Sequence, residues 1–295
     1  MKVNTIKKAL EKVKELPTLP VVARKINMLL DDPRSNAKDL AAVIEMDQSV
    51  TAKILKLVNS AYFSLSQKVT NVAQAIALLG YKNISQMVVT LSVFDSLRVA
   101  KGTSFDRREF WVHSIATAVM SERIALECSS APGEDSFTAG LLHDMGKVFM
   151  DGYLHGEFEE VLSFAEKRGV SFYEAEHSLF DVDHAMMGEW IARYWKLPLF
   201  IVAAIKHHHQ ELEERTGLAL SSDIVVDYVR VADATVRSAG IGLNGDGTRY
   251  RPALRKKLFT RLPLAEKDVK TFIKDIRQKV KNAAALLNLA AGESV

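Results

Sequence analysis

Residues Phe137 to Val148 read FTAGLLHDMGKV, and this run sets His143 beside Asp144 after a stretch of small and apolar residues. A carboxylate and an imidazole in a segment bound for the interior cost free energy unless something compensates them. The cheapest compensation is a metal ion, and that reading requires further ligands elsewhere in the chain. They are present. His113 lies in FWVHSIATAV, His184 in DVDHAMMGEW, His208 and His209 in AAIKHHHQ, and Asp233 in VRVADATVRS, each in a segment of helical periodicity among small or apolar neighbours.

Imidazole and carboxylate together suit divalent iron, manganese, nickel, cobalt or zinc, and the absence of thiolates disfavours soft ions. The expectation is one or two such ions held by His113, His143, Asp144, His184, His208, His209 and Asp233, with His113, His143, Asp144 and Asp233 as the inner set. Neighbours on an α-helix diverge by about 100°. His143 and Asp144 therefore meet one ion only if the helix axis runs past it, or else split between two ions, with Asp144 as a bridge. A bound metal acidifies its water toward neutrality, which suits attack on phosphorus. Lys147, one helical turn after His143, is expected to face the same pocket and to suit a phosphate oxygen. Asp144 and Lys147 are accordingly the candidate catalytic residues.

Around this run the chain reads as helix almost throughout, with no convincing alternating strand. Val3 to Leu16 carries an apolar stripe, Pro17 and Pro20 end it, and a helix follows from about Pro20 to Leu30. Ser35 or Asn36 is positioned to cap a helix to about Asp47, another runs through Val50 to Val58, a third begins at Thr70 or Asn71 and stops at Gly80, and Asn83 to Leu97 completes a six-helix lobe. The stretch around Ala100 to Ser104 is the best boundary. Beyond it, helices are expected over Asp106–Cys128, Glu134–Met150, Phe158–Gly169, from Asp183 as an N-cap to Leu197, from Pro198 to the His triplet, and over Asp223–Ala239. Leu243 to Thr248, LNGDGT, reads as a flexible turn, and Pro263 to Leu289 as one long amphipathic helix. The fold class is all-α in two helical lobes, residues 1–99 and 106–295.

Composition agrees. A chain of 295 residues exceeds one average domain and has ample capacity for a core, and its 48% apolar and 25% charged residues are those of a globular protein. A net charge of +3 is too small to point to nucleic acid, and the lone Cys128 excludes an intrachain disulfide. The opening MKVNTIKKALEKVKEL lacks a signal core, and no run approaches the roughly 18 apolar residues of a membrane span. The expected location is cytoplasmic, with no membrane or nucleic-acid partner.

His113, His143-Asp144 and Asp233 reproduce the H…HD…D order of the HD superfamily of metal-dependent phosphohydrolases, and the surrounding segments resemble more specifically the HDOD family, the HD-related output domain of bacterial signalling. The resemblance is carried by Leu16-Pro17-Thr18-Leu19-Pro20, by Asp47 to Phe63, by Ala75 to Gly80, by the GLLHDMG core and by Asp183 to His209. It implies that His184 and one or both of His208 and His209 act as the additional ligands of a second metal. His207, His155 and His177 match no ligand position and read as a neighbour and as surface or loop histidines. The chain departs from the related HD-GYP phosphodiesterases, since Gln210-Glu211-Leu212-Glu213-Glu214 follows the histidines and no GYP occurs. Two functions are implied. One is a signalling output module with a retained HD metal site, contacting a protein partner through Pro17 to Pro20 or the Val58 to Phe63 turn, where Tyr62 and Phe63 stay partly exposed. The other is a metal-dependent phosphohydrolase acting on a nucleotide or cyclic dinucleotide.

Overall fold

The computed structural model describes residues 17–97, 105–128, 133–248 and 250–291, and every regular element among them is helical. The expected helix over Val3 to Leu16 and the boundary near Ala100 to Ser104 lie outside the described residues. The chain forms two compact units, residues 17–98 with 278–295, and residues 99–277.

In the first unit, short polar residues start helices where the sequence places them. Helix α1, Val21–Asp31, follows Pro20 directly. Asn36 opens α2, Ala37–Glu45, with a capping box: it accepts from the Lys38 N–H at 2.9 Å while its own N–H donates to Asp39 Oδ2 at 3.0 Å. Asp47 caps α3, Gln48–Val58, and Asn71 caps α4, Val72–Leu79, which Gly80 separates from α5, Tyr81–Ser96. Ile26, Leu40, Ile44, Ile54 and Ile84 are fully buried and form the apolar interior of these helices. Asn59 fixes the loop after α3, donating to the carbonyls of Leu55 at 2.7 Å and Val69 at 2.8 Å and accepting from the Val69 N–H at 2.8 Å. Tyr62 and Phe63 meet edge to face on that loop and are half-buried.

The second unit is built around α6, Arg107–Cys128, whose Phe110, Ile115, Val119 and Ile124 are buried. It is followed by α7, Gly133–Leu142, α8, Met145–Tyr153, α9, His155–Arg168, and α10, Phe172–Leu179. Then come α11, His184–Tyr194, α12, Leu199–His207, α13, Leu220–Ser238, and α14, Glu266–Asn282, which belongs to this unit as far as Arg277. Helix α6 packs on α7 and α13. Small residues such as Ala139 and Ala204 meet Val225 and Val229 in the core, so that α7, α12 and α13 approach closely.

Four elements differ from the sequence reading. The expected helix over Glu134–Met150 is broken at His143-Asp144, which form a turn between α7 and α8, with Asp144 at φ −100° and ψ 12°. Helix α10 was not foreseen. LNGDGT is an anchored turn: Asp246 accepts from the Phe172 N–H at 2.8 Å and from Arg237 at 2.9 Å. The C-terminal helix breaks at Ala283, whose N–H is shared between the carbonyls of Lys279 and Val280, and α15, Ala284–Ala291, packs with α3 and α5 in the first unit. The expected second lobe, 106–295, thus gives up its residues beyond Arg277. No single described helix is long and apolar enough to cross a membrane.

Candidate metal centre

All seven candidate ligands lie in the second unit and converge in two groups that could each hold a metal ion, His113 with His143 and Asp233, and Asp144 with His184, His208 and His209. His113 comes from the middle of α6 and Asp233 from α13; His184 is the first residue of α11, and His208 and His209 follow the end of α12. The break at His143-Asp144 decides how the pair is used. Released from helical geometry, the two side chains turn into the same space instead of diverging.

In the first group, His113 Nε2 and His143 Nε2 lie 3.3 and 3.7 Å from Asp233 Oδ1. In the second, His184 Nε2 is 3.0 Å from His209 Nε2 and 3.3 Å from His208 Nε2, and 3.1 Å from Asp144 Oδ1. Asp144 faces both groups: Oδ1 also lies 3.4 Å from His208 Nε2, whereas Oδ2 lies 3.4 Å from His143 Nε2 and 3.9 Å from His113 Nε2. Metal–nitrogen bonds of about 2.1 Å put neighbouring donors about 3.0 Å apart in an octahedron and about 3.4 Å in a tetrahedron. Most of these separations have the length of a coordination edge. In addition, His113 Nε2, His143 Nε2, Asp144 Oδ1 and Asp233 Oδ1 are buried without a hydrogen-bond partner among the described residues. Each such atom costs about 1–3 kcal/mol if left so; a cation between them removes the penalty. The residues fit divalent metal.

The other ring nitrogens are committed outward. His143 Nδ1 donates to the Gly140 carbonyl at 2.7 Å and His208 Nδ1 to that of Ile205 at 2.9 Å, which leaves each Nε2 free as a donor atom for metal. His184 Nδ1 instead donates to the carboxylate of Glu176, on α10, at 2.7 Å, and the His184 backbone N–H donates to the other Glu176 oxygen at 2.7 Å. Asp183 caps α11 as expected, accepting from the Met186 N–H at 2.7 Å.

Burial opposes charge on His143, yet Asp144 and Asp233 outweigh it and raise the imidazole to about 9; His184 is raised to about 9 against the same burial, chiefly by Glu176. For His208 burial prevails and lowers it to about 4, and His209 is held well below its ordinary value by burial and by the neighbouring histidines. Burial alone would raise Asp144 and Asp233, but Lys147 and His143 for the one, and Arg237 with the histidines for the other, hold both well below the usual carboxylate range. Two ionised carboxylates at the centre of a ring of histidines attract positive charge.

Lys147 donates to Asp144 Oδ2 at 2.7 Å, is 1% exposed and lies over the Phe172 ring. Its ammonium is thus spent on Asp144, and it does not line the cavity beside the cluster. His207 bonds to Gln210, while His155 and His177 stand largely exposed, outside both groups. Two supporting residues went unread in the sequence. Glu176 gave no signal, since nothing marks α10 as facing His184. Arg237, 3.1 Å from Asp233, was readable as an acid–base pair four residues apart on one helix. Two glycines permit the close packing: a Cβ on Gly146 would strike the His184 carbonyl, and one on Gly242, at φ +69°, would strike the His113 backbone.

An all-helical chain with a buried, two-part histidine–carboxylate centre is the class that these observations define. The HDOD domain model matches residues 16–211, and the chain belongs to the HDOD family. An uncharacterized protein of Treponema pallidum is 24% identical over 204 residues, covering 68% of this chain and 38% of that protein. The chain spans about a third of the length of the curated relatives that it matches. Among solved structures, an HDOD domain protein of unknown function from Geobacter sulfurreducens superposes with a TM-score of 0.80 at 24% identity over 97% of this chain and 98% of that one. A candidate metal-dependent phosphohydrolase from Shewanella amazonensis superposes with a TM-score of 0.63 at 19% identity over 95% and 97%.

Proposed function

We propose that this chain is an HDOD signalling module that retains a dinuclear metal centre of the phosphohydrolase type. The carrying observation is Asp144, whose two oxygens face two separate ligand groups at 3.1–3.4 Å, the arrangement required of a carboxylate that bridges two ions. His113, His143 and Asp233 would hold one ion and His184, His208 and His209 the other. Bound there, divalent ions would polarise a phosphoryl oxygen and acidify a water. The chain's own residues fix the ligands: Glu176 and the carbonyls of Gly140 and Ile205 hold the ring nitrogens, and Lys147 and Arg237 keep both carboxylates ionised. Fold likeness to the Shewanella protein agrees with a phosphohydrolase reading.

Elemental analysis of the purified protein tests this directly, followed by hydrolysis of a panel of phosphomonoesters and phosphodiesters. Two equivalents of metal with turnover that disappears in His184→Ala or His209→Ala are expected. Metal below one equivalent after reconstitution would sink the proposal. The signalling half rests on another observation: among the described residues, the first unit contributes none of the seven candidate ligands, yet leaves Met28 and Met46 exposed. Fully metal-loaded protein inert toward every ester would favour signalling by contact alone, through Pro17 to Pro20 or the Tyr62-Phe63 loop.

A further inference from the structure

A cavity of about 290 Å³ adjoins the centre, reached through His208, His209 and Asp233, and its lining includes four cationic side chains, Arg230, Arg237, Arg255 and Lys257, against two carboxylates, Glu211 and Asp233. Arg230 lies 3.1 Å from Glu211, and Arg237 pairs with Asp233 at 3.1 Å and with Asp246 at 2.9 Å. Lys257 stands 3.6 and 3.8 Å from Glu213 and Glu211 at the exposed rim, and Arg255 has no carboxylate partner among the described residues. The lining by itself thus holds two more cations than carboxylates, an excess that Glu213 and Asp246 just outside it partly offset. Its remaining wall is aliphatic, from Ala234, Pro252, Ala253 and Leu258, and among the described residues no phenylalanine, tyrosine or tryptophan ring lines it.

We infer that this cavity receives a compact phosphate monoester as its dianion, and that Arg255 and Lys257 select it over a phosphodiester. A monoester carries a second charge above a pKa of about 6, which a diester lacks. The planar fork of arginine suits two oxygens of a terminal phosphate and lysine serves as a point charge. The volume lies just below the range for pockets that enclose a whole small molecule, about 300–1,000 Å³, and suits a compact phosphate-bearing group. Every cationic lining residue follows residue 211, outside the stretch that defines the family. The orientation of the phosphate rests on the metal centre proposed above; the charge selection does not.

Calorimetry at pH 8 with phenyl phosphate, diphenyl phosphate and cyclic di-GMP, on chelator-stripped and on metal-loaded protein, separates the two. Phenyl phosphate is expected to bind about tenfold tighter than the diester even without metal, the scale of one or two charge-assisted hydrogen bonds. Arg255→Ala/Lys257→Ala, two exposed positions, should erase that preference while circular dichroism and metal content stay unchanged. Sodium chloride should weaken the monoester more steeply than the diester. Equal or tighter binding of diphenyl phosphate or cyclic di-GMP, or a double variant that keeps the wild-type preference, overturns the inference. Charge selection in a protein that takes up no metal would instead sustain it and defeat the dinuclear centre.

Discussion

His113, His143 and Asp233 on one side and His184, His208 and His209 on the other flank the same carboxylate but are held by different means. His113 and Asp233 sit inside helices of 22 and 19 residues, so the packing of α6 against α13 already fixes their positions. His184 begins a helix, and His208 and His209 follow the end of one. Their placement depends on individual hydrogen bonds, to Glu176 and to the last carbonyls of α12, and His209 is only partly buried, stacked on Tyr173 at 4.2 Å. Ligands set by helix packing are preorganised whether or not metal is present, whereas ligands at helix ends are tuned one bond at a time. The His113 side should therefore bind the tighter ion.

The severest way to break this contrast is Asp144→Asn, which serves neither group as a bridge and strands the buried Lys147 ammonium. Loss of both ions is expected, with destabilisation of the metal-free protein by about 3–5 kcal/mol, as for a buried ion pair deprived of one partner; thermal melting with elemental analysis checks both. Gly146→Ala comes next. Its Cβ would force α8 away from the His184 carbonyl, costing about 1–3 kcal/mol and displacing His184. A melting temperature equal to wild type would show that the approach is looser than described.

Glu176→Gln sharpens the comparison most. It keeps the shape of the side chain and removes the charge that orients His184, so affinity on that side should fall about 10–100-fold with the His113 side unchanged. Titration with cobalt, followed by its visible absorption, resolves the two steps; equal weakening of both would mean that the groups are not independent. His143→Ala should act in mirror image, emptying the first group and lowering the melting temperature of the metal-loaded protein. The smallest effect on stability is expected from His209→Ala. Second-ion affinity should drop while the metal-free melting temperature stays put, since a half-buried ring at a helix end contributes little to the core.

The seven candidate ligands and the all-helical architecture were legible because each is written in local sequence: apolar stripes, caps at Asn36, Asp47, Asn71 and Asp183, and histidines among small residues. The break at His143-Asp144 was hidden, because Leu141, Leu142, Met145, Val148 and Phe149 keep helical phase across it. Glycine and asparagine made LNGDGT look loose, whereas its order comes from Asp246 reaching Phe172, 74 residues earlier in the chain. Glu176 escaped for the same reason. A carboxylate that supports a ligand acts through tertiary contact, and no periodicity announces it.

The pairing of Lys147 with Asp144 bears on how such a centre persists through sequence drift. Asp144 answers to two selective pressures, since a chain that has ceased to use metal still needs it to neutralise an ammonium in its core. His209 answers to one. In a lineage drifting away from chemistry, the histidine at the rim of the cavity is free to vanish first, and the aspartate at the centre would be the last residue to go.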